Sequence, residues 1–89
     1  EYVKLLLESR ANPDIRNNNG NTALMISSYN NNLDIGKLLL DSGANPDIQN
    51  NNNDTALILS VWKNYTEYVK LLLESRANPD IQNNKGNTA

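Results

Sequence analysis

The sequence predicts an all-α solenoid in which helix-turn-helix units stack on a 33-residue period and hairpin-like loops protrude between them. Three observations carry this reading. First, the fifteen residues Glu1 to Ile15 return unchanged as Glu67 to Ile81, and Ala-Asn-Pro-Asp-Ile begins at Ala11, Ala44 and Ala77, 33 residues apart each time. Second, the apolar residues of the repeated stretch follow helical spacing. Third, proline and a tract of Asn and Gly interrupt the pattern at the same register in every unit. Self-similarity at a fixed period of this length is the mark of a repeat array, whose units bury their apolar faces against one another.

The period divides the chain into 1–16, the second helix and loop of a partial unit; 17–49 and 50–82, two full units; and 83–89, the start of another. The chain begins and ends in mid-unit with no initiator Met, so it reads as a piece of a longer array. Helices are expected over 1–9, 22–30, 33–42, 55–64 and 66–75. In the first helix of a unit, Thr22 and Thr55 are N-cap residue types followed by Ala-Leu-Met-Ile and Ala-Leu-Ile-Leu. In the second, Tyr2, Val3, Leu5, Leu6 and Leu7 cover most of the helical wheel and leave Lys4 and Glu8 as an exposed i, i+4 pair. Tyr2 and Tyr68 align with Ile35 and are expected in the core. Pro13, Pro46 and Pro79 force the preceding residue toward extended backbone, so the second helix stops before Asn12, Asn45 and Asn78. Gly20, Asn53 and Gly86 then share one register and tolerate positive φ.

Several residues invite more than one reading. Gly36 stands where the other copies have Val3 and Val69. It lowers helix propensity by about 1 kcal/mol and deletes a core side chain, through drift in a duplicated array or through the close approach of a neighbouring helix. Asn makes up about one residue in five, from turn and loop chemistry or from a coding bias. Asp14, Asp47 and Asp80 recur at one position, where they are expected to accept backbone donors in the turn, since they lack the clustered oxygens of a calcium site. If nothing stacks beyond the last helices, the flank that includes Leu57, Val69 and Leu72 is expected to lose its cover.

Composition excludes several classes of function. A net charge of −2, a pI near 4.9 and the lack of any Lys or Arg cluster remove the term that dominates nucleic-acid affinity, so nucleic acid is not expected as a partner. Without Cys or His there are no disulfides, no thiolate or imidazole metal ligands and no His-based acid–base chemistry, and neither cofactor nor metal is expected. No apolar run approaches membrane-spanning length and no leader precedes Glu1, which gives an intracellular setting as the expectation and no membrane partner.

Thr22-Ala-Leu-Met-Ile-Ser and Thr55-Ala-Leu-Ile-Leu-Ser, the Lys-Leu-Leu-Leu helix and Gly43-Ala44-Asn45 together carry a resemblance. They are similar to the T-P-L-H-x-A, second-helix and G-A-D motifs of the ankyrin repeat, and the resemblance covers the whole chain. Two departures imply softer repeats than consensus ones. Ala23 and Ala56 replace the family's Pro, with Met25 and Ile58 in place of its His. Arg10 and Arg76 take the left-handed slot that Gly43 fills, at about 1 kcal/mol each.

The resemblance implies a protein-protein interaction scaffold that contacts an unidentified protein partner through a concave surface of loop tips and first helices. Matched residue by residue, the contact positions are Arg16, Asn18, Asn19, Asn21, Tyr29 and Asn30, then Gln49, Asn51, Asn52, Asp54, Trp62 and Lys63, and finally Gln82, Asn84, Lys85 and Asn87. Tyr29 and Trp62, one period apart, stand out because aromatic rings anchor interfaces. Either they do so here or each ring folds over the stack onto aliphatic neighbours. A passive spacer within a larger protein is the competing function. An enzyme is set aside, because no nucleophile–base pair or convergent carboxylates can be assembled from the repeats.

Overall fold

The structure, a computed structural model, describes residues 12–89. The expected helix over 1–9, with Tyr2 and Arg10, lies outside the described residues. Four α-helices follow in order, α1 (Ala23–Tyr29), α2 (Leu33–Asp41), α3 (Ala56–Trp62) and α4 (Thr66–Glu74), and there are no strands among the described residues.

Each boundary has a local cause. Thr22 and Thr55 cap α1 and α3, each hydroxyl accepting the N–H three residues on, from Met25 and Ile58, at 3.2 Å. Asn32 caps α2 in the same way through the N–H of Ile35 at 3.2 Å, whereas Tyr65 precedes α4 without a side-chain cap bond. The turns within each pair place Asn31 and Asn64, one period apart, in the left-handed region at φ 54° and 60°. After α2 the N–H of Gly43 bonds to the Leu40 carbonyl and that of Ala44 to the Leu39 carbonyl, both at 3.0 Å. After α4, Arg76 and Ala77 repeat the pair on Leu73 and Leu72. This double closure requires a left-handed residue just past the helix. Gly43 adopts φ 91° at little conformational cost; Arg76 adopts φ 66° in spite of its Cβ.

The core lies between units as much as within them. α1 packs on α2 and α3 on α4, while α1 also packs on α3 and α2 on α4. Leu24, Met25 and Leu39 of one pair meet Leu57, Tyr68 and Leu72 of the next, all of them buried. The expected exposure therefore does not occur at Leu57 or Leu72, whereas Val69 is only partly covered. Leu57 and Leu72 are fully buried in the cluster shared with the preceding pair, and Val69 packs partly buried against it; the exposed large apolar side chains of α3 and α4 are Val61, Trp62 and Leu73. Every buried polar side chain among the described residues has a hydrogen-bond partner.

At Gly36 the structure shows the close approach of a neighbouring helix. The ring of Tyr68 from α4 lies directly against this glycine, which marks the contact between successive units. Tyr68 is 0% exposed. Its burial pushes the phenol from 10.0 up to about 12, with a hydrogen bond to Ser27 acting in the opposite direction.

Two predictions follow from these backbone and core positions. Replacing Arg76 with Gly removes the left-handed penalty, since its counterpart Gly43 shows the slot to be open, and should raise stability by about 1 kcal/mol in urea denaturation. The Tyr68 phenol prefers its neutral form in the folded chain, so its contribution is complete below pH 10.0, the ordinary value that applies when unfolded, and is lost as pH rises toward about 12. Across that window the wild-type urea midpoint should fall more steeply than that of Tyr68→Phe.

Candidate functional site

The loops between helix pairs are held by a ladder of asparagines. Asn17 Oδ1 accepts the N–H groups of Asn19 and Asn21, at 2.9 and 3.0 Å. One period on, Asn50 Oδ1 accepts from Asn52 and Asp54, and a further period on Asn83 Oδ1 accepts from Lys85 and Asn87. The other end of the Asn50 and Asn83 amides reaches back one unit. Asn50 Nδ2 donates to Asn21 Oδ1 at 2.9 Å, and Asn83 Nδ2 donates to Asp54 Oδ1 at 3.1 Å. Backbone bonds run the same way, from Asn51 N–H to the Asn19 carbonyl and from Asn84 N–H to the Asn52 carbonyl, both at 3.1 Å. These bonds take the place of strand ladders. At each loop tip, Gly20, Asn53 and Gly86 adopt positive φ as their register requires.

A second ladder ties the turns that follow the second helices. Asn45 and Asn78 donate their backbone N–H groups to Asp14 Oδ1 and Asp47 Oδ1 of the preceding unit, at 2.9 and 2.8 Å. The recurring aspartates thus accept backbone donors, as their spacing suggests. Among the described residues no group of three or more His, Cys, Asp or Glu is placed to hold a metal ion, and no helix is long and apolar enough to cross a membrane.

These ladders sort the residues proposed from sequence. Arg16 donates to the Gln49 carbonyl at 3.1 Å, Gln49 donates to the carbonyls of Asn53 and Gln82, and Asn51 donates to the Asn18 carbonyl. Asn21 accepts from Asn50, as described above. Asp54 departs most from expectation: it is 4% exposed, beneath Asn83, and presents little of itself to solvent. Asn18, Asn19, Asn30, Asn52, Gln82, Asn84, Lys85 and Asn87 are exposed along the loops and helix ends.

The two aromatic rings do not fold into the stack. Tyr29 is 53% exposed at the end of α1 and Trp62 is 54% exposed at the end of α3. The Lys63 ammonium sits 4.2 Å from the Tyr29 ring centroid, a contact worth roughly 0.5–1 kcal/mol at an exposed site. A shallow groove runs between these helices and the loops. Its first part is lined by Tyr29, Ile26, Met25 and Leu59 on the helix side and by Asn21, Asn50 and Asn52 on the loop side. Its second part is lined by Trp62, Asn52, Asn83, Asn84 and Lys85. Asp54 and Asn52 border both parts, so the groove is continuous across two units.

Ile26, 45% exposed, belongs to this surface and was missed by motif matching. The available signal was spacing: Ile26 and Leu59 lie three residues before Tyr29 and Trp62, on the same helix face.

Comparison with known families settles the architecture, because the family described as "Ankyrin repeats (3 copies)" matches residues 1–85. The chain belongs to the ankyrin-repeat family. No curated protein matches it. Ankyrin repeats are in general protein-protein interaction modules and are typically non-catalytic.

The ladder and the rings should respond oppositely to truncation. Asn50→Ala leaves two loop N–H groups without their acceptor and should lower stability by about 1–3 kcal/mol. Trp62→Ala should change it by less than about 1 kcal/mol. Urea midpoints followed by circular dichroism distinguish the two.

Proposed function

We propose that these ankyrin repeats bind a protein partner, without chemistry of their own, through the groove between the loops and helices α1 and α3. Tyr29 and Trp62 serve as its anchors. The observation that carries this reading is the exposure of both rings beside Ile26 in one continuous groove. Desolvating a large ring contributes on the order of 2 kcal/mol or more at a hot spot. The surrounding asparagines, many already bonded to neighbouring loops, set the shape of the groove and add specificity through Asn18, Asn19, Asn30, Asn52, Asn84 and Asn87. Arg16, Asn21, Gln49, Asn51, Asp54 and Gln82 support the loops that border it.

Charge favours an acidic segment in the partner. Lys63 and Lys85 are exposed along the groove, whose one carboxylate, Asp54, is buried under Asn83. The opposite face, between α2 and α4, mixes Asp34, Glu67 and Glu74 with Lys37 and Lys70.

Peptides selected from a random displayed library against this chain provide the probe. Trp62→Ala should weaken their binding at least tenfold with helical content unchanged. Lys63→Glu should weaken acidic peptides, and Lys70→Ala, on the far face, should do neither. Peptides that bind equally well to the Tyr29→Ala, Trp62→Ala double variant would remove the groove from consideration and favour a spacer role.

A further inference from the structure

The three copies of the second helix differ at two adjacent positions, reading Tyr2-Val3, Ile35-Gly36 and Tyr68-Val69. The structure gives the difference a steric meaning. From α4, Tyr68 reaches across the seam to α1, where its hydroxyl is hydrogen-bonded to Ser27 and lies 3.2 Å from the Leu24 carbonyl. The end of the ring passes over Gly36 of α2. A Cβ at that position would stand 2.5 Å from the Tyr68 hydroxyl oxygen and 2.8 Å from Cζ, closer than carbon atoms tolerate.

The ring has no other place to go. It is wholly buried, and moving it would leave a phenol without partners in the core, at a cost that buried polar groups rarely bear. The glycine is not required by the backbone either, since Gly36 lies within α2 and is absent from the positive-φ residues. Gly43 makes the contrast: its φ is 91°, and a Cβ there would meet nothing within 4 Å. Space for Tyr68 is therefore the reason for Gly36. The hydroxyl end of the socket does not discriminate between units, because Ser60 repeats Ser27 one period later and is likewise buried.

We infer that these two positions form a size-matched code for the order in which units stack. A unit with Tyr at the Tyr68 position follows a unit with Gly at the Gly36 position; a unit with Val there, as at Val69, accepts a following unit with an aliphatic residue instead. The rule is read from the two junctions in the sequence, of which the structure describes the second. Val3 is followed one unit later by Ile35, and Gly36 by Tyr68. The surface beyond α3 and α4, which carries Val69, accordingly fits a repeat with Ile rather than Tyr at its matching position. Neighbour choice is written in the packing volume of the seam and is separate from partner binding in the groove.

A double-variant cycle on the full chain tests the code, with urea midpoints read by circular dichroism for wild type, Gly36→Val, Tyr68→Ile and the double variant. Each single change should lower the midpoint, Gly36→Val by overfilling the seam and Tyr68→Ile by leaving a void above the glycine. The double variant, which rewrites this junction with the Val and Ile of the other one, should recover to a midpoint above either single variant. If Gly36→Val abolishes folding, Gly36→Ala supplies the milder single change, and folding of the double variant then counts as the recovery. A double variant with the sum of the two losses, or a Gly36→Val chain with the wild-type midpoint, overturns the inference.

Discussion

Burial between successive units is the constraint from which the rest of this structure follows. A helix of seven or nine residues is too short to persist alone in water, and a single helix pair leaves most of its apolar surface open. Only when Leu24, Met25 and Leu39 close on Leu57, Tyr68 and Leu72 does either pair acquire a core. The first helices line up as a consequence, the loops are brought into register beside them, and a groove is left between the two. Function and stability thus share one geometric cause while relying mainly on different side chains: buried ones such as Leu24, Leu57 and Tyr68 hold the fold, and exposed ones such as Ile26, Tyr29 and Trp62 border the groove.

The excess of asparagine is bound up with the same geometry. One side chain can accept two N–H groups within its own loop and still donate to the loop before it, as Asn50 does. Asparagine also tolerates the left-handed backbone that Asn31, Asn53 and Asn64 adopt. Few other residues combine an acceptor, a donor and that conformational freedom in so short a side chain. The loops therefore hold their shape largely through polar bonds, and the exposed rings of Tyr29 and Trp62 are left available at the groove.

Much of the fold was legible because its signals are local. A threonine before an apolar run, an Asn before Pro and a residue register demanding positive φ each act within a few positions along the chain, and the helices they delimit lie where the spacing placed them. What escaped was decided across units. The reason for Gly36 lies in a ring 32 residues later, on another helix. Asp54 looks like a surface residue until Asn83 is folded over it, and Ile26 sits in an apolar run yet is left uncovered beside the groove. Composition could not choose between coding bias and turn chemistry for the asparagines; their hydrogen bonds assign structural work to those in the ladders and turns.

The ladder bonds join residues 29, 31 or 33 positions apart, and their donors and acceptors recur with the same chemistry in each unit. A loop meeting the wrong copy during folding would find almost the same partners, so misalignment by a whole period costs little in hydrogen bonding. Such a chain is prone to slip like a zipper with interchangeable teeth. The seam is where its copies cease to be interchangeable, because a phenol ring and a missing side chain fit in one order only. Near-identical units thereby gain a check on alignment that their shared polar loops do not provide.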